Sequence, residues 1–326
     1  MLKLLIVKTS SLGDVIHNLP IIADILTHHP NIEIDWLIEA SFADIPKMHP
    51  AVNHVIPIAL RRWRKSLFSK KTWQEISHVK HQLASQHYDI VLDTQSLLKS
   101  AFITYFTNGN KHGFNKDSAR EPLASIFYDI KHQVSRTQQA VALNRALAAK
   151  AFAYEMPNTL PVYGIQANTP VNISLNSPYI VGLHGTSRDS KLWPIAQWID
   201  LGNLLAKQQR NLVLPWASEA ELQRANQIAN TLKNATVLPK LSIAELATII
   251  SKAEAAVGVD TGLSHLAAAL NLPTIAIYTD TDPALTGVCA GAFAPAINLG
   301  GIDQLPTAAE AFQALTGMTK GFNQQV

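Results

Sequence analysis

The sequence predicts an α/β protein built from two parallel-sheet domains, and three observations carry that prediction. Short apolar runs alternate with helical patterns along the chain, which is how βαβ units read. The alternation pauses from Glu155 to Pro178, where four prolines and four asparagines occur and no charged residue follows Glu155. With 326 residues, each half is large enough to hold its own core. The expected boundaries are an N-terminal domain over 1–160, a linker over 161–177 and a C-terminal domain over 178–305. A helix and tail over 306–326 follow, expected to pack back toward the N-terminal domain.

In the first half the apolar runs Leu2–Val7, Glu33–Ile38, Val55–Ala59 and Ile90–Asp93 are the expected strands. Between the first two, Val15–His29 shows the 3.6-residue apolar rhythm of a helix packed on a sheet. Ala140–Ala153, rich in Ala and Leu, is a further helix. After the linker come strand Tyr179–His184, helix Ile195–Gln208, strand Asn211–Leu214 and helix Glu219–Leu232. Helix Ile243–Lys252, strand Ala255–Val259, helix Leu263–Leu270 and strand Thr274–Tyr278 continue the series, and a helix near Ala308–Leu315 closes it. Two such domains facing each other would line a central cleft with loops from the carboxyl ends of their strands.

Composition narrows the function classes. Hydrophobic content of 47% and charged content of 16% describe a globular chain. The single cysteine, Cys289, excludes an internal disulfide framework and a multi-cysteine zinc site, and suits a reducing cytoplasm. The apolar run Leu4–Val7 is too short for a secretory signal. The uncharged stretch Pro283–Ile302 is rich in Gly, Ala and Pro, so it reads as loops and a strand, not as a membrane span. Net charge is +3, so attraction to an anionic partner must come from local clusters. The 12 histidines show no metal-ligand spacing, and no metal is required.

The second half holds the sharpest polar cluster. LHGTSRDSKLWP places Thr186, Ser187 and Lys191 in and after a strand-to-helix turn. Hydroxyls, free amides and one ammonium suit a diphosphate, and they suit an ordinary polar turn equally well. In VGVDTGLSHLAAAL a strand ends in Asp260, Thr261 and Gly262, and His265 sits near the start of the next helix. Gly262 permits close backbone approach to a ligand at a positive helix end, while Asp260 and Ser264 also suit helix capping. Glu221, after the strand ending in Leu214, could accept hydrogen bonds from a ribose. The first half lacks both G-x-G-x-x-G and P-loop signatures. It carries instead RRWRKSLFSKK, with Arg61, Arg62, Arg64, Lys65, Lys70 and Lys71 interleaved with Trp63, Leu67 and Phe68. That run suits a solvated face, acidic lipid headgroups or nucleic acid. The first turn of the chain, after Val7, opens a helix where free amides favour an anion, yet it carries an acid, Asp14.

LLIVKTSSLGDVIHNLP, RRWRK, KHGFNKDSAREPLASIFY, KLWP, VGVDTGLSHLAAAL and TDPALTG, taken in order, resemble the heptosyltransferase family of inverting GT-B glycosyltransferases. The resemblance covers nearly the whole chain. It implies a GT-B fold, two Rossmann-like α/β domains with parallel sheets facing a central cleft, with the acceptor on the N-terminal domain and the donor nucleotide on the C-terminal one. It implies transfer of L-glycero-D-manno-heptose from ADP-L-glycero-beta-D-manno-heptose (ADP-heptose) to the first Kdo of Kdo-lipid A, in lipopolysaccharide inner-core biosynthesis. No cofactor or metal is expected. The implied catalytic residues are Asp14, as base, and Lys191, which stabilises the leaving diphosphate. Donor contacts fall on Thr186, Ser187, Lys191, Glu221 and Leu241, and on Asp260, Thr261, Gly262 and His265. Acceptor contacts fall on Lys8, Ser10, Arg61, Arg62, Arg64 and Lys65, and on Lys111 and Arg120.

On that reading the phosphates belong to the other domain, and Asp14 is free to take the acceptor's proton. Asp14 also suits a plain helix cap. The sequence departs from the family pattern at Ser187, where threonine is usual, and at Leu241, where methionine is familiar. Ser96 stands where glycine is common. YTDTDP, from Tyr278 to Pro283, stands where Tyr-Gly-Pro-Thr-Asp-Pro is usual, so Thr279 and Asp280 are the departing residues. The implied partners are ADP-heptose, Kdo-lipid A and an anionic membrane surface, not nucleic acid. The chain is expected to act as a monomer, peripheral on the cytoplasmic face of the inner membrane. Two alternatives remain open at this level: a later-acting heptosyltransferase with a heptose acceptor, and a non-catalytic protein that binds a nucleotide sugar or nucleic acid.

Overall fold

The computed structural model describes residues 1–323, with side chains through residue 319. The chain divides into two compact units, Met1–Asn158 and Thr159–Val326. Each is a six-stranded, all-parallel sheet with helices, the arrangement that alternating apolar runs dictate.

The first unit contains β1 (Lys3–Val7), β2 (Glu33–Glu39), β3 (Val52–Ile58), β4 (His87–Asp93), β5 (Asn108–Phe114) and β6 (Ile130–His132). They lie in the order β3-β2-β1-β4-β5-β6. The second contains β7 (Tyr179–Leu183), β8 (Asn211–Leu214), β9 (Ala235–Val237), β10 (Ala255–Val259), β11 (Thr274–Tyr278) and β12 (Ala296–Gly300). Their order, β12-β11-β10-β7-β8-β9, is the same Rossmann order read from the other edge. In each sheet the connections reverse direction beside the first strand, between β1 and β4 and between β7 and β10. Val7 lies opposite Asp93 in the register, so the turns after β1 and β4 emerge side by side. Such reversal points are where open α/β sheets hold ligands.

Several elements differ from the sequence expectation. The helix expected over Val15–His29 is two helices, Leu12–Ile16 and Pro20–His28. Pro20 starts the second one, because a residue without an N–H is tolerated in a first helical turn and disfavoured further in. The helix Lys70–Ser85 begins within the last two residues of the basic run, and the edge strands β6 and β9 have three residues each, too short for a periodic signal. The segment read as a linker is fastened to the second unit. The Tyr163 hydroxyl donates to the Cys289 carbonyl at 3.0 Å, and the Ala292 N–H donates to the Pro161 carbonyl at 3.0 Å.

The helix Ala308–Asn323 buries Ala308, Ala311, Leu315 and Met318 in the second unit's core, with Trp198, Leu201 and Leu205. Of the helix and tail over 306–326, expected to pack back toward the first domain, residues 324–326 lie outside the described residues. Among the described residues, no helix is long and apolar enough to cross a membrane.

Candidate active site

In the first unit the turn after β1 is braced by the turn after β4. The side-chain oxygen of Gln95 accepts the N–H groups of Thr9 and Ser10, at 3.0 and 3.1 Å. The Lys8 ammonium is buried and donates to the Thr94 carbonyl at 2.8 Å. Behind them, fully buried Asp93 accepts the N–H groups of Gln95 and Ser96 at 2.8 and 3.2 Å and the Tyr128 hydroxyl at 2.9 Å. Ser96 has φ +53°, a left-handed backbone that favours glycine. Its hydroxyl accepts the Arg120 N–H at 3.0 Å, a bond glycine could not provide.

Asp14 sits in the first turn of the helix Leu12–Ile16, and its Oδ2 accepts the Ser11 N–H at 2.8 Å and the Ser11 hydroxyl at 2.9 Å. Burial pushes its carboxyl up, but Lys8, both Ser11 donors and His17 together hold it below the ordinary 3.8. Asp93 goes the other way: burial raises it, only partly offset by hydrogen bonds from Ser100, Tyr128, Gln95 and Ser96. Burial lowers the Lys8 ammonium from its ordinary 10.5 while Asp14 and Asp93 support its charge. Two carboxyl groups pushed in opposite directions point to different roles, Asp14 staying ionised and Asp93 holding the turn together.

The expected acceptor residues separate into two sets. Ser10 joins the Asp14 turn, and its hydroxyl accepts from the Lys99 ammonium at 3.4 Å. Arg120 follows Ser96 closely in space and its side chain is exposed. Arg61, Arg64 and Lys65 are exposed in and after the short helix Leu60–Trp63, with the Arg61 guanidinium 5.6 Å from the Phe42 ring centre. Arg62 is engaged by Glu75, at 2.6 and 3.2 Å. Lys111 lies in the middle of β5, where it pairs with Asp129 at 3.5 Å and donates to the Gly109 carbonyl at 3.1 Å.

In the second unit the turns after β7 and β10 are joined through Asp260. Its carbonyl accepts the Thr186 hydroxyl at 2.8 Å. Its carboxylate Oδ2 accepts the Lys191 ammonium at 2.7 Å and the Thr281 hydroxyl at 2.6 Å. Thr261 is the N-cap residue of the helix Gly262–Ala269, which carries buried His265. Glu221 completes a capping box, its Oε2 accepting the Ala217 N–H at 2.7 Å and the Ser218 N–H at 3.4 Å. A Cβ at Gly185 would lie 2.8 Å from the Glu221 carboxyl carbon, so glycine there lets Glu221 lie against the turn after β7. Ser187 is exposed in that turn, and Leu241 is half-buried just before the helix Ile243–Ser251. Thr279 and Asp280, the departing residues after Tyr278, hydrogen-bond to Ser190: the Thr279 hydroxyl to its carbonyl at 2.7 Å, and the Ser190 hydroxyl to Asp280 at 2.6 Å.

Sequence reasoning missed Gln95, Thr94, Asp93 and Tyr128. The signal was available, since DTQS closes and follows the apolar run Ile90–Asp93, as KTSS follows β1. Among the described residues, no group of three His, Cys, Asp or Glu side chains is placed to hold a metal ion.

A model of glycosyltransferase family 9 (heptosyltransferase) matches residues 76–306. Lipopolysaccharide heptosyltransferase 1 of Pseudomonas aeruginosa is 45% identical over 287 residues, covering 88% of this chain and 81% of its own. Lipopolysaccharide heptosyltransferase 2 of Escherichia coli K12 is 22% identical over 302 residues, covering 87% and 85%. The solved structure of E. coli heptosyltransferase WaaC with ADP matches with a TM-score of 0.89 at 41% identity, over 97% of this chain and 99% of that one. The same enzyme with ADP-2-deoxy-2-fluoro heptose matches with a TM-score of 0.86 at 40% identity, with the same coverage.

Proposed function

The chain belongs to glycosyltransferase family 9, the heptosyltransferases, and on that premise we propose the reaction its residues carry out. It is an inverting glycosyltransferase that moves L-glycero-D-manno-heptose from ADP-heptose to the first Kdo of Kdo-lipid A, in the lipopolysaccharide inner core. The higher identity to a heptosyltransferase 1 than to a heptosyltransferase 2 supports a Kdo acceptor over a heptose acceptor. The acceptor hydroxyl oxygen bonds to the anomeric carbon as the bond from that carbon to the ADP β-phosphate oxygen breaks. The hydroxyl proton passes to Asp14, and ADP leaves with the bonding electrons.

The observation that carries this reading is Asp14, a carboxylate held ionised in the turn after β1. A base with a lowered pKa is weak, so proton transfer comes late, once attack has made the hydroxyl acidic. Lys191 and the amides at the start of the helix Gly262–Ala269 stabilise the charge that grows on the diphosphate, a task that needs no metal. Lys191 donates to the Asp260 carboxylate, so an incoming diphosphate shares the ammonium with that carboxylate. Ser10, Arg61, Arg64, Lys65 and Arg120 meet the carboxylate and phosphates of the acceptor, for which the arginine fork is well shaped. The enzyme works as a monomer at the cytoplasmic face of the inner membrane, and nucleic acid is not a partner.

The test is ADP release from ADP-heptose with deacylated Kdo-lipid A, run beside the heptosylated acceptor and with EDTA. Wild type should turn over the Kdo acceptor, and EDTA should leave the rate unchanged. Asp14→Asn keeps the cap and removes the base, and should lower kcat by roughly 10²-fold or more with donor affinity intact. Near-wild-type turnover by that variant would reduce Asp14 to a helix cap, and a preference for the heptosylated acceptor would move the enzyme to the later step.

A further inference from the structure

The helix Leu98–Thr104 faces the wrong way for a helix packed on a sheet. Its large apolar residues Leu98 and Phe102, with Tyr105 directly after, recur at i, i+4 and i+7, and all three are exposed. Its buried face is small and polar by comparison, carrying Ser100, Ala101 and Thr104, with Ile103. Ala101 packs with Ala124 and Tyr128, so the neighbouring 3-10 turn Pro122–Phe127 lies alongside. That turn exposes Leu123 and Ile126, the latter at 70%. Phe102 meets Phe106 and Phe127 edge-on, at ring distances of 5.2 and 6.1 Å, which joins the two elements into one apolar ridge. A soluble surface rarely gathers such residues without a partner.

The charges around the ridge say which partner. The Lys80 ammonium lies 5.0 Å over the Phe106 ring, and Lys99 is exposed within the helix itself. The bordering acids are turned to protein donors: Glu121 accepts the Leu98 N–H at 2.6 Å, and Asp129 the Lys111 N–H at 2.9 Å. Lys80 belongs to the helix Lys70–Ser85, whose exposed Trp73 follows the basic run with exposed Leu67 and Phe68. Right-handed crossovers from β3 to β4 and from β4 to β5 put both helices on the same face of the sheet. Lys99 also reaches Ser10, which ties the ridge to the Asp14 turn.

We propose that the ridge formed by Leu98, Phe102, Tyr105, Leu123 and Ile126 seats the first unit in a lipid leaflet with anionic headgroups. It rests on the reading of a lipid-linked acceptor and adds how that acceptor is met. Apolar side chains enter the acyl boundary while Lys80 faces the headgroups. The sugar then reaches the Asp14 turn without the acyl chains leaving the leaflet.

The experiment uses the full chain and vesicles of phosphatidylcholine, with and without phosphatidylglycerol. Wild type should sediment with the anionic vesicles. Phe102→Ser combined with Ile126→Ser should weaken that binding about tenfold or more, and Phe102→Leu combined with Ile126→Leu should retain it. Both changes are at exposed positions, and matched thermal melts check that the serine variant is folded. Its kcat/KM on soluble deacylated acceptor should stay at the wild-type value, while its rate on acceptor embedded in vesicles falls. Equal vesicle binding by the serine variant and wild type would overturn the proposal. So would a wild-type dimer that the serine changes dissociate, since the ridge would then be covered by a second copy. Absence of turnover on soluble acceptor by wild type would sink the heptosyl-transfer reading instead, and vesicle binding would still report on the ridge.

Discussion

Lys8 and Asp14 illustrate how one residue sets the working range of another. Burial is the largest influence on Asp14 and acts to raise its carboxyl, and Lys8 is the largest influence opposing it. Lys8→Met removes that opposing charge and should therefore move the acid limb of the kcat/KM profile upward from its wild-type place below 3.8. An unchanged acid limb would separate Lys8 from the base. Ser96 offers a second test at this scale. Ser96→Ala keeps the left-handed backbone and removes the acceptor of the Arg120 N–H, a loss of about 1–2 kcal/mol. Ser96→Gly loses the same bond but relieves strain of about 1 kcal/mol, so in urea melts it should be the more stable of the two. The opposite order would mean that the φ of Ser96 carries no strain.

Among the elements, the two turns at the β1/β4 reversal depend on each other. Gln95, from the DTQS turn, supplies the acceptor for the Thr9 and Ser10 N–H groups of the KTSS turn, and Lys8 of the KTSS turn donates to the Thr94 carbonyl. Gln95→Leu keeps the volume and leaves the buried Thr9 and Ser10 N–H groups without that oxygen, which should cost roughly 2–4 kcal/mol in urea unfolding. A turn that has lost its brace misplaces Asp14, so kcat should fall while donor affinity, which we propose rests on the other unit, holds. Gln95→Glu retains an acceptor oxygen and should recover most of the stability. If Gln95→Leu unfolds like wild type, the brace is not what holds the turn.

For the whole molecule, acid should weaken the fold before the carboxylates protonate. His49, His132 and His184 are pushed down to about 4 from an ordinary 6.5, in each case chiefly by burial. Above 6.5 both the folded and the unfolded chain carry these rings neutral. Below it the unfolded chain takes up protons that the folded chain refuses until about 4, so stability falls as pH drops through that window. Urea midpoints measured from about pH 7 down to about 4.5 should decline steadily, and His49→Gln should flatten the slope. A midpoint independent of pH over that range would show that these rings titrate alike in both states.

Read alone, the sequence determined the class of fold, the two-part division and most of the second half. Those features rest on local patterns: apolar runs such as Tyr179–Leu183 and Ala255–Val259 are legible because a parallel strand buried on both faces must be apolar throughout. The family motifs likewise singled out Asp14, Lys191 and Asp260 without any coordinates. The tertiary structure alone decided what each of these groups touches. Lys8 is expected from the resemblance to meet the acceptor, and folding turns it inward to Thr94, a residue 86 positions away. Lys111 and Arg62 are likewise expected acceptor contacts, and folding pairs them with Asp129 and Glu75. The ridge at Leu98, Phe102 and Tyr105 has the spacing of a core-facing helix, and only packing shows that this face looks outward. Periodicity fixes which side chains share a face of a helix. The direction in which that face points depends on the neighbouring elements, and these come together only when residues distant in the chain pack against one another.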